Sequence, residues 1–278
     1  MNADCAFTIG STHSICQDYA VAVPGFTSNG IEAGPYVVIS DGCSSSPDTD
    51  VGARLLTRAT RQIFSVDVEV AELHKESAQL ALRWAELLGL PTQSVDATLL
   101  TANLNRDDLI IGCSGDGVVV LETREGRVDV HAISSPSGYP FYPCYAHQPE
   151  RLDELIARGR AYKELKHFRR VSADEPLTLV NESTSDSLTE LFRFKVSDHK
   201  YAALVSDGIH SFFSAKPSID GKRVEAIPMV EALNELWSFK NSHGAFVSRR
   251  VNKFKKDCRA KEWRHADDLA FGALYLGE

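Results

Sequence analysis

The segment "YVVISDG" at residues 36–42 and the segment "YAALVSDG" at residues 201–208 are both short apolar runs that stop in Ser-Asp-Gly. Each reads as a buried strand that ends in a carboxylate followed by the smallest residue. A strand is rigid, so an aspartate at its end is held in a fixed place by the scaffold. Nothing around the two segments suggests a duplicated unit. The question is whether two distant strand ends furnish one site.

Around these two strands the hydrophobic period changes several times. "CAFTIGST" and "QDYAVAVP" read as a strand, a turn and a strand. After Tyr36–Ser40, Val51, Leu55, Ala59 and Ile63 fall at four-residue intervals and predict a helix over Val51–Ser65, with Asp48 or Asp50 as its cap. A longer helix is predicted over Val68–Leu88, ended by Gly89 and Pro91. "ATLLTANL", "DLIIGCSGDG", "VVVLET" and "RVDVHAI" then form a run of strands divided by short polar turns. Strands so closely joined must be antiparallel, because a parallel crossover needs a dozen or more residues. Residues 136–195 read as surface excursions, with a charged helix-like piece over Arg151–Lys166 and a strand with a loop in "DEPLTLVNESTSDS". Helices are predicted over Val224–Phe239 and Ala245–Arg259, and "LAFGALYL" is the last strand. Strands interleaved with helical pairs in antiparallel order make this an α+β layered chain, expected to be one domain over residues 1–278.

Composition narrows the function classes. The formal charge of −8 disfavours nucleic-acid binding and suits a protein that collects cations through carboxylates. No apolar run approaches the roughly 20 residues of a membrane span, and "MNADCAFTIG" lacks the pattern of a secretion signal, so the expectation is a cytoplasmic protein. The six cysteines are scattered without a CxxC pair and read as reduced thiols, with no structural zinc site.

Acidic residues recur at the edges of the apolar runs. Asp18 begins "DYAVAV", Asp41 ends "YVVIS", Asp116 lies in "GCSGDG", Asp207 follows "YAALVS", and Asp267 and Asp268 precede "LAFGALYL". Taken singly, each is an ordinary turn aspartate. Gathered at one rim they would repel one another and raise their own pKa values, a strain that Mg²⁺ or Mn²⁺ relieves by taking oxygen ligands. Glycine after aspartate lets the chain turn and exposes a carbonyl as a further ligand. Cys43 lacks the Cys-x5-Arg cradle of a cysteine phosphatase, and the helical run "RRVNKFKKDCRAKEWR" reads first as a solvated basic face.

In this order, "GSTHSICQDYA", "VVISDGCSSSPDTDVGARL", "DATLLTANL", "GCSGDG", "ALVSDGI" and "ADDLAFGALYL" resemble the metal-dependent protein phosphatases of type 2C, most closely the bacterial branch, over about residues 8–276. The resemblance implies a four-layer α-β-β-α sandwich of two antiparallel sheets flanked by helix pairs. It implies a serine/threonine protein phosphatase whose nucleophile is a water activated by two Mn²⁺ or Mg²⁺ ions. Asp41 would bridge the ions, the Gly42 carbonyl would bind one, and Asp207 and Asp267 the other. Asp18, Asp116 and Asp268 complete the implied metal set, with Asp116 as a second-shell or third-ion aspartate. The implied partners are a phosphorylated protein substrate and a serine/threonine kinase or its target.

The chain also departs from the pattern. Gln17 stands where the family often has Glu, and His13 stands roughly where an arginine usually grips the phosphate. His13 is thus the candidate for substrate binding and for proton transfer to the leaving group. These departures keep open a degenerate phosphatase fold that binds a partner or phosphopeptide without turnover. Hydrolysis of a small phosphorylated metabolite also stays open.

Overall fold

The computed structural model describes residues 1–277 except 29–30, 65–67, 160–161, 173–174 and 217–223. Twelve strands build its two main sheets: β1 (Asn2–Thr8), β2 (Tyr19–Val23), β3 (Tyr36–Ser40), β4 (Leu99–Asn105), β5 (Asp108–Ser114), β6 (Gly117–Thr123), β7 (Val128–Ser134), β8 (Lys163–Arg170), β9 (Thr178–Ser185), β10 (Thr189–Lys195), β11 (His199–Val205) and β12 (Leu269–Tyr275). One sheet runs β1-β12-β11-β6-β7-β8-β9 and the other β10-β5-β4-β3-β2, with every pairing antiparallel. The helices are α1 (Thr49–Ile63), α2 (Val70–Leu87), α3 (Pro149–Ala157), α4 (Met229–Leu236) and α5 (Phe246–Ala260).

The layering follows from the two-residue period of a strand. In β3, Val37 and Ile39 point between the sheets, while Tyr36 and Val38 point at α1 and α2. In β12, Ala270 and Leu274 face the other sheet, while Leu269, Phe271 and Ala273 face α4 and α5. A strand buried on both faces must be apolar at every position, which is why these segments read as continuous hydrophobic runs. Three cores result, one between the sheets and one under each helix pair. This is the α+β sandwich of two antiparallel sheets expected from the sequence.

Several elements differ from the sequence expectation. The charged piece over Arg151–Lys166 is helical only to Ala157, and Lys163–Arg170 is strand β8, paired with β7 and β9. Its charges suggest a solvated helix, yet Leu165 packs into the inter-sheet core and Phe168 into the outer one, which is strand alternation. The 136–195 stretch therefore does more than loop out. It adds β8 and β9 to one sheet edge and β10 to the other. The predicted helix over Val224–Phe239 starts only at Met229, because Pro228 sits before it and Glu225–Ala226 pairs with Phe213 and Ser214. Helix α1 starts at Thr49, and the expected terminal residue Ser65 lies outside the described residues. Asp48 does precede it, but in a left-handed conformation (φ 54°) with no side-chain cap bond. None of the described helices is long and apolar enough to cross a membrane.

The antiparallel order brings particular ends together. β11 runs toward Asp207 while its neighbour β12 starts just after Asp268, so both acidic stretches lie at one end of the sandwich. The end of β3, the start of β2 and the β5–β6 turn reach the same end.

Candidate metal and phosphate site

Asp41 leaves β3 between two backbone anchors. Its carbonyl accepts from the Thr98 N–H (2.8 Å), and its own N–H donates to Thr98 Oγ1 (3.1 Å). Asp207 leaves β11 after Ser206, whose hydroxyl donates to Asp18 Oδ2 (2.6 Å) and accepts from the Ala270 N–H (2.8 Å). The serines of the two Ser-Asp-Gly segments thus do different jobs. Ser40 ties its strand to the Thr98 carbonyl (2.6 Å), and Ser206 orients a buried carboxylate.

The glycines also have a steric reason. A Cβ on Gly42 would stand 2.6 Å from the Thr49 carbonyl oxygen at the start of α1. A Cβ on Gly208 would stand 1.7 Å from the Asp268 carbonyl oxygen. In both places neighbouring backbone passes where a side chain would begin, a constraint beyond the turning freedom expected from sequence.

Asp41 lies between two other carboxyls and hydrogen-bonds to Asp18 and to Asp207. Burial raises Asp41 well above the ordinary carboxylate range, and the charges of Asp18 and Asp207 raise it further. Burial likewise pushes Asp18 up to about 7, against the hydrogen bonds from Asp41 and Ser206. Asp116 sits in the tight β5–β6 turn between Gly115 and Gly117 and is pushed up to about 8 by burial and by the charge of Asp207. Asp267 is raised by burial and then by Asp207. One oxygen each of Asp18 and Asp207 is buried with no hydrogen-bond partner.

Above this cluster opens a cleft of about 340 Å³. Asp41, Asp116, Asp207 and Asp267 line it, together with Gly42. The rest of its wall carries neutral hydroxyls and a thiol: Cys43, Ser44, Ser45, Thr98, Ser135 and Tyr142. Among the described lining residues there is no Lys, Arg or His. Burial works to raise the Cys43 thiol, but hydrogen bonds with Ser45, Tyr142 and Ser46 outweigh it and lower its pKa.

The donor set is all oxygen, crowded and partly unsatisfied, and so fits hard divalent cations. Among the described residues, no group of three His, Cys, Asp or Glu side chains is already disposed about one ion. The carboxyls bond to one another instead, and a cation binding there would replace those carboxyl–carboxyl contacts.

Two expected site residues are employed differently. Asp268 is buried, and both its oxygens accept backbone N–H groups, Oδ1 from Gly10 (2.7 Å) and Oδ2 from Gln17 (2.6 Å). That makes it a strut that ties the first loop to β12, where metal ligation was expected. His13 does not line the cleft. Its Nδ1 lies 3.0 Å from Asp268 Oδ2 and its Nε2 3.6 Å from Asp267 Oδ1. The contact with Asp268 raises its pKa. It faces carboxylates, where phosphate gripping was expected. Gln17 turns its side chain away, donating from Nε2 to Thr49 Oγ1 (2.8 Å). His210 is exposed and is likewise absent from the cleft wall.

The model of the protein phosphatase 2C family matches residues 11–254. The chain belongs to the protein phosphatase 2C family. Among solved structures, it resembles a bacterial serine phosphatase at TM-score 0.56 and 11% identity, over 100% of this chain and 98% of that one. It resembles the serine/threonine phosphatase Stp1 of Staphylococcus aureus at TM-score 0.53 and 12% identity, over 99% and 95% of the two chains. It also resembles the Streptococcus agalactiae serine/threonine phosphatase at TM-score 0.53 and 12% identity, over 99% of each chain. At such identities the likeness establishes the fold. No curated protein matches the sequence.

This 2C-family chain also holds groups near the site that sequence reading missed. Lys163 is fully buried, with Nζ 3.0 Å from Glu190 Oε1. His74 is buried between Ser114 Oγ and Thr101 Oγ1, both at 2.8 Å, and burial pushes it down to about 3, so it stays neutral. Neither has a local motif. The hydroxyl wall had one signal, the serine run in "CSSS" directly after Asp41-Gly42.

Proposed function

We propose that the chain is a cytoplasmic, Mn²⁺- or Mg²⁺-dependent serine/threonine protein phosphatase of bacterial type, acting on phosphoserine or phosphothreonine in a protein tied to a kinase. The observation that carries this reading is Asp41 seated between Asp18 and Asp207, with Asp116 and Asp267 on the same cleft.

Asp41 would hold both cations, with the Gly42 carbonyl on one and Asp207 and Asp267 on the other. Asp116 would serve a further ion or its water. Bound cations supply a Lewis acid that acidifies water and offsets the charge developing on the phosphoryl oxygens. The chain's own residues do the rest. Ser206 fixes Asp18, and Asp18 fixes Asp41 from below. The hydroxyls of Ser44, Ser45 and Tyr142 offer the phosphoryl oxygens neutral donors from the wall. His13 acts through Asp267 and Asp268, which it holds in place.

A second reading, a phosphatase-fold module that binds phosphopeptide without turnover, is favoured by the absence of a cation from the described cleft wall and by Gln17 turning away. One assay separates the two. Hydrolysis of a phosphothreonine peptide is followed with Mn²⁺, with EDTA, and in Asp41→Ala and Asp207→Ala. The enzyme reading expects turnover with Mn²⁺ that EDTA abolishes and that falls by at least about a thousandfold in each variant. Equal rates in wild type and variants overturn it.

A further inference from the structure

At the opposite end of the sandwich the charge pattern inverts. Two cavities, of about 200 Å³ and 550 Å³, flank residues 238–243, the connection between α4 and α5. Ser238, Phe239, Lys240 and Asn241 line both, so the two form one tract. Neither shares a lining residue with the catalytic cleft. The cations Arg170, Lys200, Lys240, Arg249, Arg250 and Lys253 line the tract, against one carboxylate, Glu122. The chain as a whole has 38 acidic and 30 basic residues, so a tract where Arg170, Lys240 and Arg249 have no ion pair among the described residues is basic against the average.

Part of this charge is compensated and part is not. Glu122 accepts from Trp237 Nε1 (2.7 Å). Asp257 is shared by Lys253 and Arg250. Among the described residues Arg249 bonds neutral acceptors, Asn241 Oδ1 and the His243 carbonyl. Arg170 reaches Asn234 Oδ1 (2.9 Å), and its Nε is buried with no partner. Lys240 is exposed and has no ion pair among the described residues.

The platform is rigid. Phe239 stacks on Tyr201 (5.2 Å between centroids) and on Phe271 (5.9 Å), which pins the connection to the sheet. The charges are therefore presented by a fixed surface, which lowers the ordering cost of binding. Tyr201 is six residues before Asp207 on the same strand path, so the tract lies about 20 Å from the cleft at ~3.3 Å per residue.

We propose that this tract docks an acidic, phosphate-bearing segment of a protein partner at a distance from the cleft. Cations in shallow cavities suit phosphate and carboxylate groups on an extended peptide. Nucleic acid suits the tract less. Phe239 is already stacked on Tyr201 and Phe271, which leaves it less free to stack on a base, and the net charge of −8 penalises a long polyanion more than a short peptide. The proposal does not need the cleft to be active.

The test uses the full chain in EDTA, which removes metal-dependent turnover from the readout. A fluorescein-labelled acidic peptide with two phosphothreonines is titrated and followed by anisotropy, beside its unphosphorylated form and a single-stranded oligonucleotide of equal charge. Expected is salt-sensitive binding of the phosphopeptide, weakened about tenfold in Lys240→Glu/Arg249→Glu and unchanged in Lys75→Glu on the other helical layer. Arg249 also braces the connection, so Lys240→Glu alone, at an exposed side chain, is measured with it and should weaken binding several-fold. Equal binding by wild type and Lys240→Glu overturns the proposal, as does undetectable binding by wild type. Tighter binding of the oligonucleotide overturns the peptide assignment. Docking that persists while the hydrolysis assay fails would sink only the enzyme reading.

Discussion

Asp18→Asn is the most informative single change in the acidic cluster. Asp18 is 1% exposed and is pushed from 3.8 to about 7, so its proton is held more tightly in the folded chain than in the unfolded one. An acid raised in this way adds stability that is full below about pH 4 and lost as the pH climbs through 7. At 1.36 kcal/mol per pH unit, the loss between those limits is on the order of 4 kcal/mol for this one group. Asparagine removes the titration and keeps the contacts. Its Oδ1 accepts the Ser206 hydroxyl, and its Nδ2 donates to Asp41, the two neighbours that Asp18 now bonds. In EDTA at pH 8, Asp18→Asn should therefore melt about 8 °C above wild type, at roughly 2 °C per kcal/mol for a chain of this length. At pH 5 the gap should narrow to about 3 °C, because only about 1.2 of the roughly 3 units between the two pKa values have then been crossed. Adding Mn²⁺ should raise the wild type more than the variant, because a cation that binds only the folded state adds stability in proportion to its affinity. The assay is thermal unfolding by circular dichroism from pH 5 to pH 9, with and without Mn²⁺. A wild-type melting temperature that rises with pH in EDTA, or a variant no more stable at pH 8, would refute the reasoning.

Two further perturbations probe the scaffold. Gly208→Ala places a Cβ 1.7 Å from the Asp268 carbonyl oxygen, where backbone on both sides must shift. It should cost about 3 kcal/mol or more and lower the denaturation midpoint without changing the urea slope; a variant within 1 kcal/mol, about a fifth of ordinary stability, would show that the contact is relieved cheaply. Lys163→Met leaves Glu190 in a partly buried place without its cation and should destabilise by about 3 kcal/mol, while Lys163→Met/Glu190→Gln should recover much of that; equal loss in both would mean that the ion pair is not the cause.

How far the sequence could be read depended on how local the determining signal was. The strands β3, β11 and β12 were plain because both faces of each are covered, so nearly every position had to be apolar. Strand β8 was not, because "KELKHFRR" lies near a sheet edge where charges are solvated, and its alternation rests on Leu165 and Phe168 alone. The same holds for β9, which is exposed along almost its whole length and so carries no hydrophobic signature. In the site, the aspartates that end strands were legible because a strand end fixes their direction. The roles of His13, Gln17 and Asp268 were not, because they are set by each other across roughly 250 residues of chain. A motif gives the residue type, but whether a carboxylate faces a cleft or caps a loop depends on which N–H groups the fold brings to it.

The arrangement has a consequence for the order in which ligands can bind. A phosphomonoester carries up to two negative charges near neutral pH. Four aspartates line the cleft and none of its described wall residues is a cation, while the one histidine beside the cluster is turned toward Asp267 and Asp268. Two unit charges 4 Å apart at an effective dielectric of 20 interact by about 4 kcal/mol, so each cleft carboxylate that is ionised repels a phosphate oxygen, while burial keeps Asp41 and Asp116 protonated to higher pH than usual. Neutral donors such as Ser44, Ser45 and Tyr142 contribute about 1 kcal/mol each and cannot reverse that sum. On the proposed reading, any cleft carboxylate still ionised opposes the phosphoester until a proton or a divalent cation neutralises it, so phosphoester binding should tighten when the cation is present.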